Sequence, residues 1–181
     1  MAELVDRICS GIEPYLDIPF SFFGHSMGAL ICFELARTLA WQRRPLPRWL
    51  FVSGAIPPHR RPVESLHTLP TSDFIEAVSL RYNGLPPGLL ADKELLDLFV
   101  PVMRADFELL ENYRYGDGPP LSTNIAAFGG RNDRSVPPLD LERWRDLTMQ
   151  PEFFRVTLFD GDHFFLNKQR TALVNEICKT L

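Results

Sequence analysis

Ser26 stands in the string Gly24-His25-Ser26-Met27-Gly28, a glycine-x-serine-x-glycine pattern that suits a nucleophile held on a tight turn. A serine hydroxyl attacks a carbonyl carbon only when a base takes its proton. The chain offers four histidines for that task. His25 adjoins the serine, and its side chain is expected to point away from it. His59 and His67 fall in and just after a proline-rich stretch and are expected in solvent. His163, in Phe159-Asp160-Gly161-Asp162-His163-Phe164-Phe165, is the candidate base, set against a histidine merely packed among phenylalanines. Asp133, in Phe128-Gly129-Gly130-Arg131-Asn132-Asp133, is the candidate orienting acid. It completes the chain order serine, aspartate, histidine. Asp160 and Asp162 lie closer to His163, but adjacency restricts their geometry. Asp133 is therefore favoured over them, its bland alternative being a turn or helix cap.

These residues need elements that bring them together. Apolar positions Leu4, Val5, Ile8, Cys9, Ile12, Tyr15 and Leu16 mark one face of a helix over residues 2–16. Phe20–Phe23 reads as a short buried strand, and Met27–Trp41 as a helix, so the serine joins a strand to a helix. Trp49–Gly54, Asn124–Gly129 and Phe154–Phe159 read as further strands, with helices over Leu139–Leu147 and Phe165–Leu181. Between the second and third strands, residues 57–121 read as a helical insertion. Asp73 with Glu76 suggests a capping box for a helix over Phe74–Tyr82. A second helix starts near Asp92, and Pro101 is expected to kink or divide it. Alternating strands and helices predict an α/β fold with a partial parallel sheet of about four strands in one domain, residues 1–181. In such a sheet, sites gather at the carboxyl ends of strands, where both Ser26 and His163 fall.

Composition narrows the class. Nineteen basic against 23 acidic residues give a net charge of −4, which argues against a general nucleic-acid binder. Cys9, Cys32 and Cys178 are widely spaced and odd in number, so neither a zinc site nor a disulfide framework is indicated. Cys32 and Cys178, among apolar neighbours, read as buried thiols. No metal and no cofactor is expected. The first residues are too polar for a signal peptide, and no apolar run approaches the roughly 20 residues that span a bilayer. The expectation is a soluble cytoplasmic protein without membrane contact.

The chain resembles a type II thioesterase, the stand-alone editing hydrolase of nonribosomal peptide and polyketide synthesis. The resemblance covers nearly the whole chain. It is carried by Phe22–Ala29, Leu50–Gly54, Pro101-Val102-Met103-Arg104-Ala105-Asp106-Phe107, Glu111-Asn112-Tyr113-Arg114-Tyr115, Ala127–Gly130 with Asp133, and Gly161–Leu166. The Arg-Ala-Asp-Phe stretch is far more specific than the serine turn. The resemblance implies an α/β-hydrolase fold, with Ser26 as nucleophile, Asp133 as orienting acid and His163 as base and then acid. The backbone N–H of Met27 would be one oxyanion donor. The implied substrate is an acyl or aminoacyl group on the phosphopantetheine arm of a carrier protein, hydrolysed through an acyl-serine intermediate. Residues 57–121 would then form a lid. A helical insertion rich in leucine and phenylalanine beside a hydrolase site suggests, on its own terms, an apolar acyl slot.

Arg43, Arg44, Arg48, Arg60 and Arg61 form a basic cluster in a negatively charged chain. They read first as ordinary solvated surface, the alternative being that they steer docking of an acidic carrier protein. Members of the resembled family begin with several strands and a helix before the segment that starts here at Met1. That portion includes the loop giving the second oxyanion donor, worth on the order of 3 kcal/mol. Phe20–Phe23 is accordingly expected at a sheet edge, open to self-association. Three accounts stay open: a longer native chain, a short form pairing its edge with a copy or partner, and an inactive truncated fragment that acts by binding alone. A small-ester hydrolase or acyltransferase with the same triad is the rival within the enzymes.

Overall fold

The computed structural model describes residues 1–181 apart from Asn83, Gly84 and Pro86. Helix α1 (Ala2–Ile12) leads through a 3₁₀ turn to strand β1 (Phe22–His25), helix α2 (Met27–Trp41) and strand β2 (Trp49–Ser53). Helices α3 (Thr71–Tyr82), α4 (Pro87–Ala91) and α5 (Lys93–Glu111) follow before strand β3 (Asn124–Gly130). Helix α6 (Pro138–Glu142), strand β4 (Arg155–Phe159), and helices α7 (Phe165–Lys168) and α8 (Arg170–Thr180) complete the chain.

The described strands form one parallel sheet in the order β1-β2-β3-β4. Side chains alternate across a strand, and β2 shows the result. Leu50 and Val52 join Ala29, Phe33 and Ala36 of α2, with Ile125, Ala127, Leu141 and Trp144, in the core on one face. Trp49 and Phe51 join Ala126, Phe128, Phe159, Phe165 and Leu173 on the other. Helix α1 packs on α2 through Val5, Cys9, Leu35 and Leu39. The helices between β2 and β3 carry a cluster of their own, in which Phe74, Val78 and Val100 are buried among Leu66, Leu69, Met103 and Phe107.

Several boundaries differ from expectation. β1 lies two residues later than Phe20–Phe23, because its pairing with β2 runs from Phe22 opposite Leu50 to His25 opposite Ser53. It lies at the sheet edge, with Phe23 42% exposed. Asp73 and Glu76 form no capping box at Phe74: α3 already starts at Thr71, and Phe74 N–H donates to Pro70 O. Asp92 does cap α5, accepting from Glu94 and Leu95 N–H. Pro101 does not divide α5; Asp97, whose carbonyl loses its amide partner there, faces solvent. The last helix breaks at Gln169, and the expected Leu139–Leu147 helix ends as a 3₁₀ turn that buries Trp144. Cys178 is exposed on the outer side of α8 rather than buried, whereas Cys9 is buried. Among the described residues, no helix is long and apolar enough to cross a membrane.

The two glycines of the serine string have different reasons. A Cβ at Gly24 would lie 2.2 Å from the carbonyl oxygen of Gly28, so only glycine lets α2 start this close to β1. A Cβ at Gly28 would meet nothing within 4 Å. Gly24→Ala is expected to cost about 3 kcal/mol in urea denaturation, while Gly28→Ala stays within about 1 kcal/mol of the wild type. Equal losses at both positions would contradict this packing.

Candidate active site

Three of the strand ends supply the candidate residues. The register sets His25 beside Ser53, Ser53 beside Phe128, and Gly130 beside Phe159. The loops that leave these positions are therefore neighbours. Ser26 follows β1 directly with φ 53° and ψ −118°, a conformation that costs a non-glycine residue about 1–3 kcal/mol. Its N–H donates to Ser53 O at 2.7 Å, which ties the turn to β2. Met27 opens the 15-residue helix α2, and an N–H in a helix's first turn has no acceptor within the helix.

The loops after β3 and β4 are laced together by backbone. Arg131 N–H donates to Phe159 O at 2.8 Å, and Asn132 N–H to Gly161 O at 2.9 Å. Gly130 allows this approach, since a Cβ there would lie 2.2 Å from Asp162 O. The lacing sets Asp133 against His163. His163 Nδ1 lies 2.8 Å from Asp133 Oδ2 and 3.1 Å from Ser135 Oγ. Asp133 Oδ1 accepts from Ser135 N–H at 2.8 Å, Ser135 Oγ at 2.6 Å and Val136 N–H at 3.3 Å. With the Ser135 hydroxyl proton given to Asp133, the His163 Nδ1–H donates to the carboxylate and the hydroxyl oxygen, leaving Nε2 as an acceptor. Burial by itself would raise the Asp133 carboxyl, but the bonds from His163 and Ser135 prevail and hold it below the usual carboxylate range. Ser26, Ser135 and His163 line one cleft. Asp160, the nearer carboxylate in sequence, lies 3.2 Å from the Arg131 guanidinium.

Rings enclose His163. Tyr82 sits edge-on at 4.8 Å, Phe164 at 5.1 Å and His25 at 4.9 Å between ring centroids. His25 Nδ1 pairs with Ser53 Oγ at 2.9 Å. Burial, aided by His163, pushes the His25 imidazole down to about 4, so it is neutral at physiological pH. Sequence reasoning passed over Ser135 and Tyr82. The Asp-x-Ser spacing was a signal for Ser135, since an aspartate commonly accepts from the backbone two residues on; Tyr82, at the end of a distant helix, had none.

His59 and His67 are half-buried and paired, contrary to the expectation of solvent. His59 Nε2 lies 3.6 Å from Asp146, and His67 Nδ1 makes a short contact with Glu111. The cause is a clamp from α5. The buried Glu111 carboxylate accepts from Leu66 and His67 N–H at 2.8 and 3.0 Å, and Arg104 donates to the carbonyls of His67 and Leu69. The five arginines do not form one patch either. Arg43, Arg44 and Arg48 precede β2, Arg60 and Arg61 follow it, and a strand of five residues separates the groups by about 16 Å.

Asp133→Asn is expected to destabilise the fold by about 3 kcal/mol at neutral pH, because it removes one partner of a buried pair. The carboxyl is depressed in the folded state, so its contribution is fully present above about pH 4, the ordinary aspartate value. It fades as pH falls through the lower folded value. Urea denaturation of both proteins from pH 7 to pH 2 should therefore show the gap between them closing only below about pH 4. A constant gap would contradict the pairing.

Comparison with known proteins agrees with this architecture. The sequence matches the thioesterase domain family over residues 1–181. It is 39% identical to the gramicidin S biosynthesis protein GrsT of Aneurinibacillus migulanus, covering all of this chain and 70% of that protein. RedJ, a thioesterase from the prodiginine pathway of Streptomyces coelicolor, superposes with a TM-score of 0.91 at 32% identity over all of this chain and 71% of its own. YbtT, a type II thioesterase from the yersiniabactin NRPS/PKS pathway, gives 0.83 at 31% identity over 98% of this chain and 72% of its own. With its full-length match, parallel sheet and serine turn, the chain belongs to the thioesterase domain family and has its α/β-hydrolase fold.

Proposed function

We propose that this chain hydrolyses acyl thioesters presented on the phosphopantetheine arm of a carrier protein, with Ser26, His163 and Asp133 as its catalytic triad. The observation that carries the reading is the hydrogen-bonded Asp133–His163 pair on the same cleft as Ser26, itself held at a positive φ. Ser26 Oγ attacks the thioester carbonyl carbon and its proton passes to His163 Nε2. Charge then gathers on the carbonyl oxygen, where the Met27 N–H at the start of α2 donates to it. Collapse of this intermediate breaks the carbon–sulfur bond, and the leaving thiolate takes the proton from His163. Water repeats the sequence on the acyl-serine, with His163 Nε2 as base, and frees the acid and the Ser26 hydroxyl.

Asp133 keeps its charge throughout and accepts from His163 Nδ1–H, so the imidazolium that forms has a partner already in place. Neutral His25, 4.9 Å away, adds no opposing positive charge. The carrier-protein substrate is supported by YbtT, named a type II thioesterase from an NRPS/PKS pathway, and by RedJ, named for prodiginine biosynthesis. The helices between β2 and β3 act as the lid, because Tyr82 at the end of α3 touches His163.

Incubation with a fluorophosphonate should label Ser26, with the adduct found on its tryptic peptide. Ser26→Ala and His163→Ala should each lower hydrolysis of acyl-carrier protein by about a thousandfold or more. Full turnover by Ser26→Ala would refute the mechanism. Faster cleavage of an oxyester than of the matching thioester would refute the substrate class.

A further inference from the structure

The cleft at Ser26 is not the apolar slot that a leucine- and phenylalanine-rich insertion suggested. Besides Ile56, Leu110 and Val136, it is lined by Arg61, Glu64, Arg81 and Tyr82. Arg81 makes a short contact with Glu64 through Nη1 and lies over the Tyr82 ring at 5.4 Å. Its Nε is buried and has no hydrogen-bond partner among the described residues. The Arg61 side chain, largely desolvated, forms no hydrogen bond or ion pair with the described residues. A guanidinium carries five N–H donors and accepts none. Two of them therefore line the cleft, and Arg81 Nε is a buried donor left unspent there, which is costly.

Charge is another matter. Arg61 and Arg81 together carry two positive charges. Glu64, which pairs with Arg81, lines the same cleft as Arg61 and sets one negative charge against them. Asp133, hydrogen-bonded to His163, adds a further negative charge on the same side. The cleft has donors to spare but no positive charge to spare. A carboxylate brought by the substrate would add a charge the cleft does not need. A plain hydrocarbon would leave the donors unpaired.

On the basis of the thioesterase reading above, we propose that Arg61 and Arg81 form a subsite for a neutral acceptor oxygen on the substrate's acyl group, such as the amide carbonyl of an N-acylated aminoacyl or peptidyl chain. The guanidinium N–H groups donate to that oxygen while Ser26 attacks the thioester carbonyl a few bonds away. No further bond is made or broken.

The test uses three N-acetylcysteamine thioesters of similar acyl length: N-acetylglycyl, pentanoyl and succinyl. Calorimetric binding to the full chain carrying Ser26→Ala reads the subsite without turnover. N-acetylglycyl should bind about tenfold more tightly than either of the others, and Arg61→Met added to Ser26→Ala should erase that preference. Arg61→Lys keeps the charge but loses the planar fork, and should lose most of the preference too. The result is overturned if pentanoyl binds as well as N-acetylglycyl, if none of the three binds, or if the preference survives both Arg61→Met and Arg81→Met. It is equally overturned if succinyl binds best, since the cleft would then be reading charge. Failure of the hydrolase reading shows separately, as absence of turnover and of Ser26 labelling in the wild-type chain whatever the binding order.

Discussion

The backbone of Ser26 is the constraint on which the rest of the site depends. A serine at φ 53° and ψ −118° does not hold that conformation by local preference. It is held from three sides. Gly24 lets the first turn of α2 come within contact of β1, Ser53 O takes the Ser26 N–H, and α2 is pinned to the sheet by Ala29, Phe33 and Ala36 in the core. Strain of about 1–3 kcal/mol is small beside such burial, since one well-buried side chain contributes a comparable amount. The parallel register then brings the ends of β2, β3 and β4 alongside, so the same packing that bends the chain at Ser26 also fixes what faces it.

Asp133 and His163 are held by other means. Neither Asp133 nor His163 is in a strand or a long helix; both are on loops, which would ordinarily be mobile. Backbone bonds from Arg131 and Asn132 to Phe159 and Gly161 turn the two loops into one unit, and Gly130 gives them room to touch. Ser135 then satisfies the carboxylate oxygen that His163 does not use. The imidazole is walled by His25, Tyr82 and Phe164. This fixes its position without placing another cation beside it.

Much of this was legible in the sequence, for identifiable reasons. The neighbouring placement of Ser26, Asp133 and His163 was readable because each follows an apolar run, and strand ends in a parallel sheet must be neighbours. Helix α2 and strand β2 were placed correctly because their periodicity is long and unambiguous. What escaped were contacts between segments far apart in the chain. Nothing near His67 or His59 announces that Glu111 and Asp146 will partner them. The five arginines looked like a cluster because sequence distance hides the strand that separates them. The Arg104 and Glu111 stretches stood out as motifs, yet only the structure shows that they clamp residues 66–69 onto α5.

The polarity of the cleft follows from the same kind of competition. The leucines and phenylalanines of the insertion have first to hold the insertion together, since its helices share only limited contact with the sheet. Phe74, Val78, Val100, Met103 and Phe107 are consumed in that task. The loop after β2 and the end of α3 are left to face the site, and they bring Arg61, Glu64, Arg81 and Tyr82. Counting apolar residues in an insertion therefore predicts that it will fold, not what it will bind. Chemistry and selection consequently sit on separate parts of the fold. The proposed triad hangs from the ends of the sheet, and the groups that would read an acyl chain come from the insertion. The rings of Tyr82 and His163 are where the two parts touch. A division of that sort lets the acyl-reading residues change while the strained serine and its partners stay as they are.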